Sequence, residues 1–149
     1  MNPKLIILGI SVAIALPVIG LALLSLLAKA PDNLGVKNGK LGDCPSSPNC
    51  VCSHAENKSH AIEPLSLATV DGDPLEYLKE KLGGMSGCEI IDEKPNYLHA
   101  VFTTRLFRFQ DDAEFLIDGD VIHIRSASRA GKSDLGLNRK RIEALRKLF

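Results

Sequence analysis

DDAEFLIDGDVIHIRS, residues 111–126, is the stretch of sequence that decides the fold. Apolar and polar residues alternate with a period of two in each half, as they do in strands with one buried face. Asp118-Gly119 between the halves is a strong signal for a two-residue hairpin turn. The stretch therefore predicts two antiparallel strands, with Phe115 and Ile124 on the face that packs on a core.

The residues before this hairpin add two more strands and a helix. Cys88–Glu93 and Tyr97–Phe109 read as strands, separated by a turn at Pro95-Asn96. Asp73 is a suitable N-cap and Pro74 suits a first helical turn, so we expect a helix from there to Gly83. Its apolar stripe comprises Leu75, Leu78 and Leu82.

The residues after the hairpin predict a second helix. Asn138 is the expected N-cap, and Ile142, Leu145 and Phe149 recur at helical spacing. With the elements before it, this predicts an α+β domain. Its antiparallel sheet has about four strands, and the helices pack on one face.

The N-terminal segment is of a different kind. Residues 5–28 form 24 consecutive uncharged residues, 19 of them hydrophobic. About 20 apolar residues suffice to cross a bilayer as a helix. We predict a membrane anchor over residues 1–30, a linker over residues 31–42 and an exported domain over residues 43–149. A cleaved signal peptide is the alternative, since Ala28-Lys29-Ala30 fits a cleavage site, although the apolar stretch exceeds a normal signal core.

Lysines flank the apolar segment on both sides, so charge alone does not orient it. All four cysteines follow it, which favours an oxidising compartment. We therefore expect the inner membrane, with the domain in the periplasm or an equivalent lumen.

The formal net charge is zero, which gives no support to a nucleic-acid-binding protein. That total hides a division, because residues 43–120 carry a net charge of −9 and residues 121–149 carry +6. The simplest interpretation is that the basic C-terminal part forms ion pairs with the acidic strand, above all with Asp111, Asp112 and Glu114.

The cysteines predict disulfides. A Cys44–Cys50 bridge would close a short Pro-rich loop, and Cys52 could then reach Cys88; four cysteines allow three connectivities, and the sequence does not choose among them. Alternatively, Cys44, Cys50, Cys52 and His54 would offer metal ligands, without a standard zinc-finger spacing. Thiol–disulfide chemistry is a third possibility, without a Cys-x-x-Cys motif. We predict neither a metal nor a cofactor.

The segment from Arg125 to Arg141 is the candidate site. Its small residues allow close approach of a ligand, and its basic residues suit an anion at a helix N-terminus. Gly131-Lys132-Ser133 is similar to the end of a phosphate-binding P-loop, but Ser126 occupies the place of the first Gly, which argues against nucleotide hydrolysis. The predicted anion-binding residues are Arg125, Ser126, Ser128, Arg129, Gly131, Lys132, Asn138 and Arg141. Asp112 and Glu114 would orient the arginines.

Three segments, CPSSPNCVCS, FRFQDDAEFLID and IRSASRAGKSDLGLNRKRIEALR, resemble domain of unknown function 1499 over residues 41–149. The resemblance implies a small bacterial membrane-anchored or exported protein, with relatives in plastids, and implies no established activity. It adds Pro48 and Asn49 to the candidate site by joining the Cys44–Cys50 loop to the acidic strand and the basic segment. Cys52 departs from the family pattern, in which Ser is expected.

These observations favour a non-enzymatic envelope binding or accessory protein with an anion site, taking an anionic lipid or a phosphorylated small molecule. One alternative is an enzyme of unknown class that uses Asp112 or Glu114 as acid or base beside Arg125 and Arg129. Another is a purely structural or assembly protein. A deep pocket containing a strongly shifted carboxylate would favour the enzyme.

Overall fold

The predicted hairpin forms the centre of the sheet in the computed structural model, which describes residues 3–149 apart from the side chains of residues 5–9. Strands β7 (Gln110–Asp118) and β8 (Val121–Ser128) pair antiparallel around Gly119, which has a φ of 57°. The other elements are α1 (Pro3–Leu27), β1 (Val36–Lys37), β2 (Lys40–Leu41), β3 (Cys50–Cys52), β4 (Leu65–Ser66), α2 (Pro74–Gly83), β5 (Cys88–Lys94), β6 (Tyr97–Thr103) and α3 (Leu137–Arg146).

The main sheet has the order β3-β8-β7-β6-β5, and the short β4 also pairs with β8. All of these pairings are antiparallel, so the predicted α+β class is confirmed, with six strands in this sheet instead of about four. The two extra strands, β3 and β4, are three and two residues long, too short for alternation to reveal them.

Helices α2 and α3 pack on the same face of the sheet. Asp73 caps α2 by accepting a hydrogen bond from the Leu75 N–H at 2.8 Å, as its sequence predicts. The buried side chains of α2 and α3 join those of the central strands in one hydrophobic core, which includes Leu78, Leu82, Leu98, Phe102, Phe115, Ile122, Ile124, Ile142 and Leu145. This face therefore supplies the apolar burial that stabilises the domain.

The opposite face of the sheet is covered by residues that sequence patterning assigned to a linker. Strands β1 and β2 form a hairpin around Asn38 and Gly39. Leu41 of this hairpin is 4% exposed and packs with Tyr97 and Leu116. The overlooked signal was Asn38-Gly39 itself, since both residues have the positive φ that a type I′ turn requires.

Two element boundaries differ from those predicted. Strand β6 ends at Thr103 and not at Phe109, because Thr104 and Phe109 exchange hydrogen bonds that close a loop between them. Gly136 is the N-cap of helix α3, and Asn138 lies fully buried inside the first turn. Asp134 performs the capping role expected of Asn138, because its carboxylate accepts from the Gly136 and Asn138 N–H groups.

Helix α1 is long and apolar enough to cross a bilayer. The window Ile10–Leu27 has a mean hydropathy of 2.6 and is 6% buried in the structure. Length and composition alone also fit a signal sequence near the N-terminus, so the two alternatives drawn from the sequence stay open at this point.

Candidate functional site

The acidic residues of β7 lie on both faces of the sheet. Successive residues of a strand point to opposite faces, so Asp112 and Glu114 share one face while Asp111 lies on the other. Each carboxylate pairs with an arginine from the basic C-terminal part: Asp111 with Arg141, Asp112 with Arg129 and Glu114 with Arg125. These three acid–arginine pairs confirm the simplest interpretation of the charge division.

The Glu114 carboxylate is completely buried and accepts three hydrogen bonds. One oxygen accepts from Arg125 at 2.9 Å, and the other accepts from the Tyr97 hydroxyl at 2.8 Å and the Gly35 backbone N–H at 2.6 Å. A buried carboxylate needs such partners to offset the loss of hydration. Burial, followed by the neighbouring Glu114 charge, raises the pKa of Tyr97, so its hydroxyl is a stable donor.

Arg125 uses its remaining donors to hold the segment that follows α1. Its Nη2 donates to the Asn33 side-chain oxygen at 3.1 Å, and its Nε donates to the Asp43 carbonyl at 3.4 Å. The side chain is 2% exposed. Arg125 therefore joins the residue 33–43 segment to the central strands and is largely closed to a ligand.

Asp112 is bound by Arg129 in a bidentate pair, with both N–O distances 2.8 Å, and His99 Nε2 lies 2.8 Å from the same carboxylate. Burial acts to raise the pKa of Asp112, but the hydrogen bonds from Arg129 and His99 outweigh it and hold that pKa below its usual value. Arg129 also donates to Gln110 at 2.8 Å and retains 14% side-chain exposure. Arg129 is thus the partly open member of the two pairs on this face.

On the helix face, Asn138 is a buried hub that links three parts of the site. Its oxygen accepts from Ser126 at 2.6 Å and from Arg141 at 2.9 Å, and its amide donates to Ser128 and to the Asn49 carbonyl. The Asn49 amide in turn donates to the Gly131 carbonyl at 2.8 Å. The Pro-Asn-Cys loop, β8 and α3 are therefore fastened together through side-chain hydrogen bonds.

Most of the predicted site residues converge on these two faces of β7 and β8. Pro48 and Lys132 do not, because both are exposed and neither joins the hydrogen-bonded groups. His99 and Tyr97 belong to the polar groups but were missed; their period-two spacing on β6, beside the acidic strand, was the available signal. Asn33 and Gly35 had no recognisable signal, because tertiary contacts alone bring them to Glu114 and Arg125.

A cavity of about 360 Å³ opens beside the pairs on this face. Its walls include Lys29, Asn33, Cys44, Pro45, Arg125, Ser128 and Arg129. Asp112 and Glu114 are absent from that lining, since the arginines and the 33–43 segment cover them. Lys29 is exposed at the rim and makes no ion pair within residues 3–149.

The cysteines form one disulfide, Cys44–Cys50, which was one of the predicted possibilities. The predicted Cys52–Cys88 bridge is wrong: both thiols are free, and they lie on β3 and β5, the opposite edges of the main sheet. Burial raises the pKa of Cys52, and burial raises that of Cys88 to about 11. The described residues contain no group of three or more His, Cys, Asp or Glu side chains arranged to hold a metal ion.

Comparison with known proteins gives the family and nothing finer. No curated protein and no solved structure matches the chain. The family model described as "Protein of unknown function (DUF1499)" matches residues 40–149, which is well over half of the chain. The resemblance carried by the Pro-Asn-Cys, acidic and basic segments is therefore confirmed, and the protein belongs to the DUF1499 family.

Proposed function

We propose that this protein is a membrane-anchored, non-catalytic binding protein whose cavity beside Lys29 and Arg129 takes an anionic group, such as a phosphate ester. The observation that carries the proposal is the position of this cavity. It lies between the segment leaving α1 and the basic end of β8, and Lys29 follows the last residue of α1 by two positions. A headgroup or a phosphorylated solute at the membrane surface would meet it there.

The anchor is the first part of the proposal. Helix α1 has 25 residues, about 37 Å at 1.5 Å per residue, which exceeds the roughly 30 Å of a hydrocarbon core. The Cys44–Cys50 disulfide favours an oxidising compartment for the domain. We therefore retain the inner membrane, with the domain in the periplasm or an equivalent lumen, as the proposed location.

Within the cavity, direct contact with the anion is assigned to Lys29 and Arg129, whereas the Ser128 hydroxyl is bound to Asp111 and Asn138 on the helix face. Lys29 has no ion pair within residues 3–149, and Arg129 makes three hydrogen bonds with its five N–H groups. Arg125, Asp112 and Glu114 are positioning residues, because burial and mutual pairing commit them to the wall. The remaining predicted residues hold β8 and the loop after it in place. They are Ser126, Gly131, Asn138 and Arg141.

Binding is favoured over catalysis by the state of the carboxylates. An acid–base catalyst must reach its substrate, and neither Asp112 nor Glu114 lines the cavity. The lowered pKa of Asp112 keeps it ionised near neutral pH, so it is not a proton donor there. The raised pKa of Cys52 similarly keeps that buried thiol protonated and unreactive.

The test is binding of phosphate groups by the full chain in zwitterionic detergent micelles, using short-chain phosphatidylglycerol in one titration and inorganic phosphate in the other. Lys29→Gln removes a charge without leaving a partner unpaired. We expect its binding to weaken about threefold to tenfold, or up to about 1.4 kcal/mol. Lys58→Gln is the control, because Lys58 is exposed and does not line the cavity.

The two titrations separate the sources of the anion. Binding of phosphatidylglycerol alone identifies a lipid headgroup, and binding of both probes identifies the phosphate group as sufficient. Equal affinities of the wild type, Lys29→Gln and Lys58→Gln proteins would overturn the assignment of this cavity and leave the polar groups with a structural role.

A further inference from the structure

Two loops meet beside the last turns of α1. The 104–109 loop connects β6 to β7, and the 130–136 loop connects β8 to α3. A cavity of about 290 Å³ is bounded by Leu21 and Leu24 of α1 together with Phe109 and Leu135 of these loops. Both loops therefore lie at the level of the apolar helix and not beyond its end.

These loops expose apolar side chains that the core does not use. Leu106 is 80% exposed and Leu135 is 86% exposed, more than any other large hydrophobic residue in the described part of the domain. Leu135 also has a φ of 54°, a left-handed conformation that is unfavourable for a residue with a Cβ atom. Neither its exposure nor its backbone conformation is explained by the stability of the domain, which directs attention to a function.

Basic side chains surround the two leucines. Arg105, Arg108, Lys132 and Lys140 are exposed and make no ion pairs within residues 3–149. The nearby carboxylates are engaged, since Asp111 pairs with Arg141 and Asp134 caps α3. Exposed leucines with a rim of unpaired bases are typical of surfaces that enter the interface of an anionic membrane.

The position of the loops along the axis of α1 agrees with entry into a membrane interface. Leu24 and Leu21 precede Leu27, the last residue of α1, by three and six residues, or about 4.5 and 9 Å along the helix axis. Loop residues that line the same cavity, such as Phe109 and Leu135, lie at a similar depth when α1 is upright in a bilayer. Interfacial elements bury their apolar side chains by about 5–10 Å.

We propose that Leu106 and Leu135 insert into the leaflet from which α1 emerges, while the surrounding bases contact anionic headgroups. This membrane-docking surface consists of the 104–109 loop, the 130–136 loop and Lys140. It rests on the membrane anchoring proposed above, and its lipid contacts are separate from the phosphate cavity beside Lys29. Docking fixes the orientation of the domain on the membrane, because α1 and two loops then contact one bilayer.

The chain contains no tryptophan, so one introduced tryptophan reports on a single position. The full-length variants Leu106→Trp and Leu135→Trp are reconstituted into vesicles that contain phosphatidylglycerol and lipids brominated near the headgroup end of the acyl chain. Leu27→Trp reports insertion of α1. Leu148→Trp is the matched control, since Leu148 is 46% exposed beyond the distal end of α3.

We expect bromine to quench tryptophan fluorescence at least twofold at positions 27, 106 and 135, with blue-shifted emission, and to leave position 148 unaffected. Replacing Arg105 and Arg108 by Gln should reduce quenching at 106 and 135 in phosphatidylglycerol vesicles while leaving position 27 unchanged. These results would establish the docking surface.

Quenching at 27 without quenching at 106 and 135 would overturn the docking and leave the anchor in place. Loss of quenching at 27, 106 and 135 would overturn the anchor together with the docking. A blue shift at 135 without quenching would indicate that another protein surface, such as a second copy of the chain, covers the loops, and would also overturn the proposal. The phosphate titrations described above do not depend on any of these outcomes.

Discussion

The ion pair between Glu114 and Arg125 shows how one residue couples chemistry to architecture. Both side chains lie almost wholly out of contact with solvent, so each depends on the other and on nearby dipoles for stabilisation. The pair also holds Asn33 and Gly35, which connect α1 to the domain. A change at either residue therefore affects both the sheet and the segment that follows α1.

Glu114→Gln should destabilise the full chain in detergent by about 3–5 kcal/mol, because it leaves the Arg125 charge buried without a counterion. The double variant Glu114→Gln/Arg125→Met should recover most of that loss, since it removes both charges. Urea unfolding followed by circular dichroism measures the change. Glu89→Gln, at an exposed carboxylate on β5, should leave the midpoint unchanged; an equal midpoint for Glu114→Gln would contradict the buried pair.

At the same scale, the sequence indicated the acidic and basic partners but not their exact contacts. Charge division identified Asp111, Asp112 and Glu114 as the acids, and β-strand periodicity separated Asp111 from the other two. Periodicity could not assign Arg129 to Asp112 or Arg141 to Asp111, because Arg129 lies beyond the end of β8 and Arg141 lies on α3. Those pairings depend on tertiary packing.

At the scale of elements, the strongest periodic patterns were predicted correctly, while the end of β6 and the start of α3 were not. The hairpin around Gly119 and the helix capped by Asp73 follow from turn and capping chemistry that is local in sequence. The end of β6 depends on the loop closed by Thr104 and Phe109, within which Arg108 has a φ of 58°. Residue types that favour strands, such as Thr104, Phe107 and Phe109, continue through this loop, so composition could not show where the strand stops.

The junction of Gly87 with the end of β6 offers a test at this scale. Gly87 has a φ of 74°, and a Cβ added there would lie 2.5 Å from the Thr103 carbonyl oxygen. Gly119 also has a positive φ, 57°, but has no atom within 4 Å of an added Cβ. We expect Gly119→Ala to cost about 1 kcal/mol from backbone strain alone, and Gly87→Ala to cost about 3 kcal/mol from strain and overlap.

Thermal or urea unfolding of the two full-length variants measures this difference. The paired design separates left-handed backbone strain, which both positions share, from steric overlap, which only Gly87 would experience. Equal losses at the two glycines would contradict the close approach of Gly87 to the Thr103 carbonyl.

At the scale of the whole molecule, the neutral charge and the moderate hydrophobicity are both averages over unlike parts. The apolar helix supplies many of the hydrophobic residues, and the three acid–arginine pairs join the acidic and basic parts of the domain. The order of the sheet could not be read from the sequence, because β3, from the loop-like N-terminal part, pairs with β8 near the C-terminus. Residues that pair across more than 70 positions of the chain leave no local sequence pattern that predicts the pairing.

The Cys44–Cys50 disulfide contributes to the stability of the molecule as a whole by restricting its unfolded state. Closing a loop with a sequence separation of 6 should contribute about 2 kcal/mol. We expect reductant to lower the urea midpoint of the wild-type chain to that of Cys44→Ser/Cys50→Ser. Reductant should leave the midpoint of the double variant unchanged, because Cys52 and Cys88 are free thiols. A shift in the double variant would contradict the assignment of a single disulfide.

The contacts of Asn33, Gly35 and Asp43 with the central strands have a mechanical consequence. A flexible connection would let the domain swing away from α1, but hydrogen bonds to Glu114 and Arg125 hold the chain from Asn33 onward, six residues after the end of α1. Under the anchoring proposed above, tension between the membrane and the domain would reach β7 and β8 through these hydrogen bonds before it could extend residues 33–43. The connection is therefore stiff from Asn33 onward, and a force on α1 passes through residues 28–32 into the two central strands of the sheet.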